Sequence, residues 1–124
     1  MTPTLDTLTR SRMIAEKIVR DNPSVLDTRI RAKFAQDSEG AWHWIGPNIF
    51  STDPNDREAR NAAMDLAIDY ARNSEYGVDI HLGQFAPGCW ITTRATAKVG
   101  GIKDTLAAAI AEALWEALEL GEEE

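Results

Sequence analysis

The chain is poor in the residues that build most metal and nucleophilic sites. Its 124 residues include one cysteine, Cys89, and two histidines, His43 and His81. A single cysteine excludes an intrachain disulfide, and a zinc site needs three or four suitably spaced ligands. His81 could face Cys89 across a hairpin, but catalysis by such a pair also needs a third, orienting group. We therefore predict a protein without metal or cofactor that is not an enzyme.

Positive charge is also scarce. The 13 Lys and Arg are outnumbered by 20 Asp and Glu, which gives a net charge of −7. Phosphates are repelled on average, so general nucleic-acid binding is disfavoured. No apolar run approaches the ~20 residues of a membrane span. The first residues lack the basic start and apolar run of a secretory signal. We therefore expect a cytoplasmic protein without a membrane partner.

The length suits one domain with a real core. A chain of 124 residues lies near the commonest domain size. We expect a single domain over residues 1–124, with its core at about residues 5–118 and an acidic tail at 119–124.

Apolar periodicity in the first part of the chain predicts a helix and then a hairpin. A helical stripe runs from Leu5 to Arg20, and Pro23 should end it. In Thr28–Ala35, apolar residues alternate with basic ones, which is typical of a strand. Turn-forming residues follow, and Ala41–Ile45 resumes the extended pattern. The two segments predict an antiparallel pair.

The rest of the chain predicts a helix, a second hairpin and a last helix. Ser51–Asp53 are good capping types before a helical stripe that runs from Ala59 to Tyr70. Alternation around Ile80 and Trp90 predicts the hairpin. The final Ala- and Leu-rich helix should be buried on more than one side. The predicted fold is α+β, in the order α-ββ-α-ββ-α, with an antiparallel sheet covered by helices in a layered α-β-α sandwich.

Two basic features are candidate binding sites. Two glycines and two lysines precede the last helix, where backbone N–H groups can cradle an anion, and an arginine could reach in from the neighbouring strand. This candidate ligand site comprises Arg94, Lys98, Gly100, Gly101 and Lys103. The plainer interpretation is a flexible strand-to-helix loop. The candidate interaction surface comprises Arg29, Arg31, Lys33, Trp42 and Trp44. Here the plainer interpretation is a solvated, aggregation-resistant edge strand.

Four segments resemble the phage ABA sandwich domain family over about residues 5–118. They are "IAEKIV" in the first helix, the Trp42–Trp44 segment, "FSTD" at Phe50–Asp53 before an Ala-rich run, and a Trp90 hairpin leading to an Ala/Leu-rich helix. The Pro-Pro pair that often precedes the family's "YSTD" is replaced by Gly46-Pro47. The resemblance implies a phage or prophage origin and an α-β-α layered fold, and it carries over no enzyme activity.

Two functions follow as expectations. The first is a phage accessory protein that binds and inhibits a host defence protein in the host cytoplasm, which suits the small size, the acidity and the tryptophan content. The alternative is a sequestering protein that holds a small anionic nucleotide without catalysis. Free hairpin edges and an Ala-lined helix also predict a homodimer or larger symmetric assembly.

Overall fold

The computed structural model describes residues 6–73, 77–82, 86–92 and 98–118. The three α-helices are α1 (Thr7–Asp21), α2 (Arg57–Asn73) and α3 (Leu106–Ala117). The strands are β1 (Phe34–Gln36), β2 (Trp42–Trp44), β3 (Val78–Leu82), β4 (Pro87–Thr92) and β5 (Lys98–Ile102). They form an antiparallel β1-β2 hairpin and an antiparallel sheet in the order β3-β4-β5. The predicted α+β class is confirmed.

Helix α3 is the centre of the core. It packs against β4 and β5 on one side and against α2 and α1 on others. Its buried residues cover several sides of the helix, namely Ala107, Ala108, Ala109, Ile110, Ala111, Ala113 and Leu114. One face of the β3-β4-β5 sheet packs on these helices through Cys89 and Ile91, which are both fully buried. The β1-β2 hairpin packs instead on α1. The predicted burial of the last helix on more than one side is confirmed.

Side-chain caps define where the helices begin. Asp6 Oδ1 accepts a 2.7 Å hydrogen bond from the Thr9 N–H at the start of α1. The predicted cap of α2 at Ser51–Asp53 is wrong, because Asp56 Oδ1 accepts from the Ala59 N–H at 3.0 Å and the helix begins at Arg57. A turn at residues 54–55 separates the two positions.

Much of the predicted strand Thr28–Ala35 is helical instead. Residues Pro23–Asp27 and Arg29–Lys33 form 3₁₀ turns, and only Phe34 onwards is extended. The hydroxyl of Thr28 donates to the Val25 carbonyl at 2.6 Å and stabilises the junction between the two turns. Ile30 is 1% exposed whereas Ala32 is exposed, so burial does not follow the period of two that the sequence suggested. Packing against α1 and α2 therefore overrides the local alternation.

A third strand joins the second predicted hairpin. The segment around Gly100 and Gly101 was predicted to be a loop, but it pairs with β4 as β5. Gly100 has a φ of 127°, and a Cβ there would lie 2.0 Å from the carbonyl oxygen of Cys89. Glycine is required because the two backbones approach this closely. The element order of the described residues thus ends in three strands and a helix.

Arg10 ties α1 to α3 and to the segment before α2. Its guanidinium lies 4.2 Å from the ring centre of Phe50 and 4.7 Å from that of Trp115. It also forms a 3.1 Å ion pair with Glu112. Stacking between two rings with a carboxylate alongside suits the planar guanidinium, so this arginine has a structural role.

Candidate interaction surface

One face of the β3-β4-β5 sheet is not covered by any described helix or strand. The register sets Asp79 opposite Trp90, and it sets His81 and Ile102 on either side of Gly88. Opposed residues of antiparallel strands project to the same face. These side chains therefore share the face opposite Cys89 and Ile91. We call this surface the open face and define it by Asp79, His81, Trp90, Lys98 and Ile102.

The indole of Trp90 lies over Gly88 on the open face. A Cβ on Gly88 would come within 2.6 Å of the ring, so glycine leaves the space that the indole occupies. The His81 ring meets the indole edge-on, with centroids 5.0 Å apart and an angle of 84° between the planes. Beside them Ile102 is 62% exposed. The open face therefore presents a preformed aromatic and aliphatic patch.

An ion pair crosses the sheet next to this patch. Lys98 Nζ on β5 lies 3.1 Å from Asp79 Oδ2 on β3, and both side chains are at least half exposed. An exposed pair of this kind adds little to stability. It borders the apolar patch with charge, as at the rim of a protein interface.

The predicted anion site is not assembled as the sequence suggested. Gly100 and Gly101 are paired strand residues, and Lys98 is engaged by Asp79. Lys103 is exposed after the end of β5, while Arg94 lies outside the described residues. Nucleotide binding by this set stays a prediction, without the loop geometry on which it was based.

The start of α3 is also occupied by the protein's own groups. Thr105 Oγ1 accepts from the Ala108 N–H at 3.1 Å and donates to the Ser51 carbonyl at 2.6 Å. The cap therefore satisfies one of the free N–H groups of the helix start.

The predicted basic surface is dispersed. A 3₁₀ helix has about three residues per turn, so alternate residues point to different sides. Arg29 pairs with Asp65 at 2.6 Å, and Arg31 lies 5.5 Å from the ring centre of Trp42. Trp44 is 2% exposed, so its prediction as a surface residue is wrong.

Core packing explains the burial of Trp44. Its ring meets Phe34 edge-on at 5.3 Å, and its indole N–H donates to the Pro47 carbonyl at 3.1 Å. Of the predicted surface, Arg31 and the half-buried Trp42 stay together.

Lys33 lines a cleft between the second 3₁₀ turn and α2. The cleft has a volume of about 500 Å³, within the range of small-molecule sites. Its lining combines one lysine, one glutamate and one asparagine with small and aliphatic residues: Ala32, Lys33, Ile45, Gly46, Pro47, Glu58 and Asn61. Among the described residues, the lining includes no histidine or cysteine.

His43 links the β1-β2 hairpin to α1 through two carboxylates. Its Nε2 lies 2.7 Å from Asp37 Oδ2, and its Nδ1 lies 3.4 Å from Glu16 Oε1. The hydrogen bond to Asp37, with added attraction from Glu16, raises the pKa of His43 above its ordinary value. The same hydrogen bond lowers the pKa of Asp37. The charged imidazole therefore stabilises the contact between hairpin and helix.

This arrangement predicts a pH-dependent contribution to stability. Because the pKa of His43 is raised on folding, its stabilising effect is fully present below the ordinary value of 6.5 and is lost as the pH rises through the raised value. His43→Gln should therefore lower the melting temperature most at about pH 5 to 6, and least above about pH 8. Thermal melts of both proteins across this range test the prediction.

Asp37→Asn is the matched control for the His43 prediction. It removes the main cause of the raised pKa, so in that background His43→Gln should show a much weaker pH dependence. A melting-temperature difference between wild type and His43→Gln that is constant with pH would contradict the assignment.

The structure separates Cys89 from His81. Cys89 faces the helices, and burial raises the pKa of its thiol to about 11. His81 lies on the open face on the other side of the sheet. The two residues therefore cannot form a nucleophile–base pair. Within the described ranges, no group of three or more His, Cys, Asp and Glu side chains is arranged to hold a metal ion.

Sequence reasoning missed the open face as a site. The alternation of residues 78–82 indicated which β3 side chains share a face, but not which face the helices would cover.

No described helix is sufficiently long and apolar to span a bilayer. No protein-family model, curated protein or solved structure matches the chain. The resemblance to the phage ABA sandwich domain family stays a prediction.

Proposed function

We propose that the protein is a non-catalytic binding protein whose open face contacts another protein. One observation carries the proposal. The sheet leaves Trp90, His81 and Ile102 as a joined patch on the face that no described helix covers. Large apolar side chains grouped at a surface mark interaction sites more often than scattered ones do.

The chemistry of the patch suits a protein partner. Tryptophan supplies large apolar area and an N–H donor, and it is enriched among the residues that dominate binding energy. The indole of Trp90 packs over Gly88 and against the ring of His81, so Trp90 loses little side-chain freedom when a partner binds. The Asp79–Lys98 pair offers one charge of each sign at the border of the patch. A partner with an apolar centre and polar surroundings would complement this surface.

The finer form of the proposal concerns the partner. We propose that it is a host protein, which the chain inhibits as a phage accessory protein in the host cytoplasm. This part rests on the family resemblance and on the acidity of the chain, whose net charge of −7 disfavours nucleic acid as the partner.

Two equally exposed isoleucines allow a matched test. Ile102 on the open face is 62% exposed and Ile45 by the cleft is 63% exposed, so replacing either with lysine should leave the fold intact. The wild-type chain, Ile102→Lys and Ile45→Lys are immobilised and challenged with bacterial lysate. We expect a protein retained by the wild type and by Ile45→Lys but lost from Ile102→Lys. Its purified form should then bind Ile102→Lys at least roughly tenfold more weakly.

Two results would overturn the proposal. Equal retention by all three proteins would show that the open face is not the contact. Loss from Ile45→Lys alone would move the binding site to the cleft beside α2.

A further inference from the structure

The outer edge of β3 has its hydrogen-bonding groups free of any described strand, since β3 is the first strand of the β3-β4-β5 order. The Thr92 N–H donates to the Gly77 carbonyl at 2.9 Å, so Gly77 points its backbone groups toward β4. In an antiparallel pair this direction alternates along the strand. The N–H and C=O groups of Val78, Ile80 and Leu82 therefore point outward, along the free edge.

We propose that two copies of the chain pair antiparallel along β3, with Ile80 opposite Ile80 of the second copy. In this register all three outward-pointing residues form hydrogen-bonded pairs. Ile80 pairs with Ile80, Val78 stands opposite Leu82 of the second copy, and Leu82 stands opposite Val78 of the second copy. The register also sets Asp79 opposite His81 of the second copy, twice per dimer. A ring N–H of histidine can donate to a carboxylate in either charge state. The strand is therefore complementary to itself in both shape and charge.

The apolar residues of β3 support this register. Ile80 is 37% and Leu82 is 77% exposed, on the sheet face that the helices cover elsewhere. In the dimer, Leu82 gains Val78 of the second copy as its cross-strand neighbour, and the two Ile80 side chains meet at the symmetry axis. Such apolar cross-strand pairs stabilise a sheet. A long, regular edge with exposed apolar residues is otherwise prone to uncontrolled pairing.

The opposite edge of the sheet is less suited to pairing. Gly100 in β5 has a φ of 127°, which interrupts a regular extended edge. Glycines also leave β5 with few side chains for cross-strand contacts. Pairing through β3 alone gives a closed two-fold dimer rather than an open chain of subunits.

The dimer would be a continuous six-stranded sheet. The symmetry axis runs perpendicular to the sheet, so the helices of both copies lie on one side and both open faces lie on the other. This inference goes beyond the proposed partner binding, because self-association through an edge does not depend on what the open face contacts. A dimer would present two copies of the Trp90 patch on one surface, and a partner with two matching sites would gain in avidity.

Charge complementation gives the sharpest test. In Asp79→Lys, the new lysine faces His81 of the second copy, and in His81→Asp the new aspartate faces Asp79. Each variant alone loses both native Asp79–His81 contacts of the dimer and should dimerise roughly tenfold more weakly than wild type. An equal mixture restores opposite charges at one pair and the native Asp79–His81 contact at the other. Sedimentation equilibrium at tens of micromolar should therefore show dimers in the mixture and mainly monomers in each variant.

Two controls separate the edge contact from effects within one chain. Lys98→Glu breaks the Asp79–Lys98 ion pair without changing any residue that faces the second copy, so it should dimerise like wild type. Ile80→Pro removes an outward N–H on β3 and should abolish the dimer. Ile102→Pro removes the corresponding outward N–H on β5 and should not. Circular dichroism confirms that each variant is folded.

Several outcomes would overturn the inference. A wild-type mass near 13.7 kDa at these concentrations would do so directly. A mixture no more dimeric than its components would exclude the Asp79–His81 register. Dimers lost in Ile102→Pro but kept in Ile80→Pro would place the contact on β5. None of these results would bear on binding by the open face, which is measured with Ile102→Lys.

Discussion

Leu114→Asp is expected to leave the chain unfolded at room temperature. Leu114 is fully buried in α3 and faces the centre of the core. An ionised carboxylate there would have no partner, and a protonated one would still replace apolar contacts with a polar group. The expected loss is about 5 kcal/mol, which equals the whole stability of many small domains. Ile110→Asp should act in the same way, because Ile110 is equally buried. Circular dichroism and urea titration measure the result.

Two conservative variants make the α3 result specific. Leu114→Met roughly conserves volume and should cost less than about 1.5 kcal/mol. Glu116→Asp places aspartate at an exposed position of the same helix and should change stability only slightly. A cooperative melt of Leu114→Asp within a few degrees of wild type would mean that α3 does not lie at the centre of the core.

Among the glycines that the structure describes, Gly100 should be the one whose replacement by alanine is most damaging. The new Cβ would lie 2.0 Å from the Cys89 carbonyl oxygen and 3.1 Å from the Cβ of Ala113. The first neighbour is backbone and cannot rotate away, so β5 would have to move from β4. The φ of 127° adds strain for any residue with a side chain. The combined cost should be about 3 kcal/mol or more, read from the midpoint of a urea titration.

Gly101→Ala is the matched control for this clash. The neighbouring position has no atom within 4 Å of an added Cβ and has no positive φ. Alanine there should be neutral or stabilise the fold by up to about 1 kcal/mol, because it restricts the unfolded chain. Equal destabilisation by the two substitutions would contradict the β4–β5 pairing.

Helices were predictable where the apolar pattern was long and consistent. The stripe from Leu5 to Arg20 became α1 at Thr7–Asp21, and Pro23 ended it as expected. The last segment became α3, buried on several sides because alanine and leucine occupy most of its positions. Each signal extends over three or more turns, so neighbouring residues reinforce the same structure.

Short segments were less predictable. Residues 28–35 alternate like a strand, yet packing of Ile30 into the core favours a 3₁₀ turn. The glycines of β5 indicated a loop, because nothing local reveals that another backbone lies against them. The candidate sites failed for a related reason. The residues of each candidate site were grouped because they are close in the sequence. In the structure, Trp44 is buried in the core and Lys98 forms an ion pair with Asp79 across the sheet.

The sequence by itself determined the α+β class, the three helices and the hairpin of β3 and β4, because these depend on apolar periods within one segment. It also determined which side chains of β3 share a face. Only the tertiary structure decided which face α3 covers and which stays open with Trp90. It likewise decided that β5 joins the sheet and leaves β3 at the edge. These outcomes depend on contacts between segments far apart in the chain, and the energy of such contacts is decided by packing rather than by local pattern.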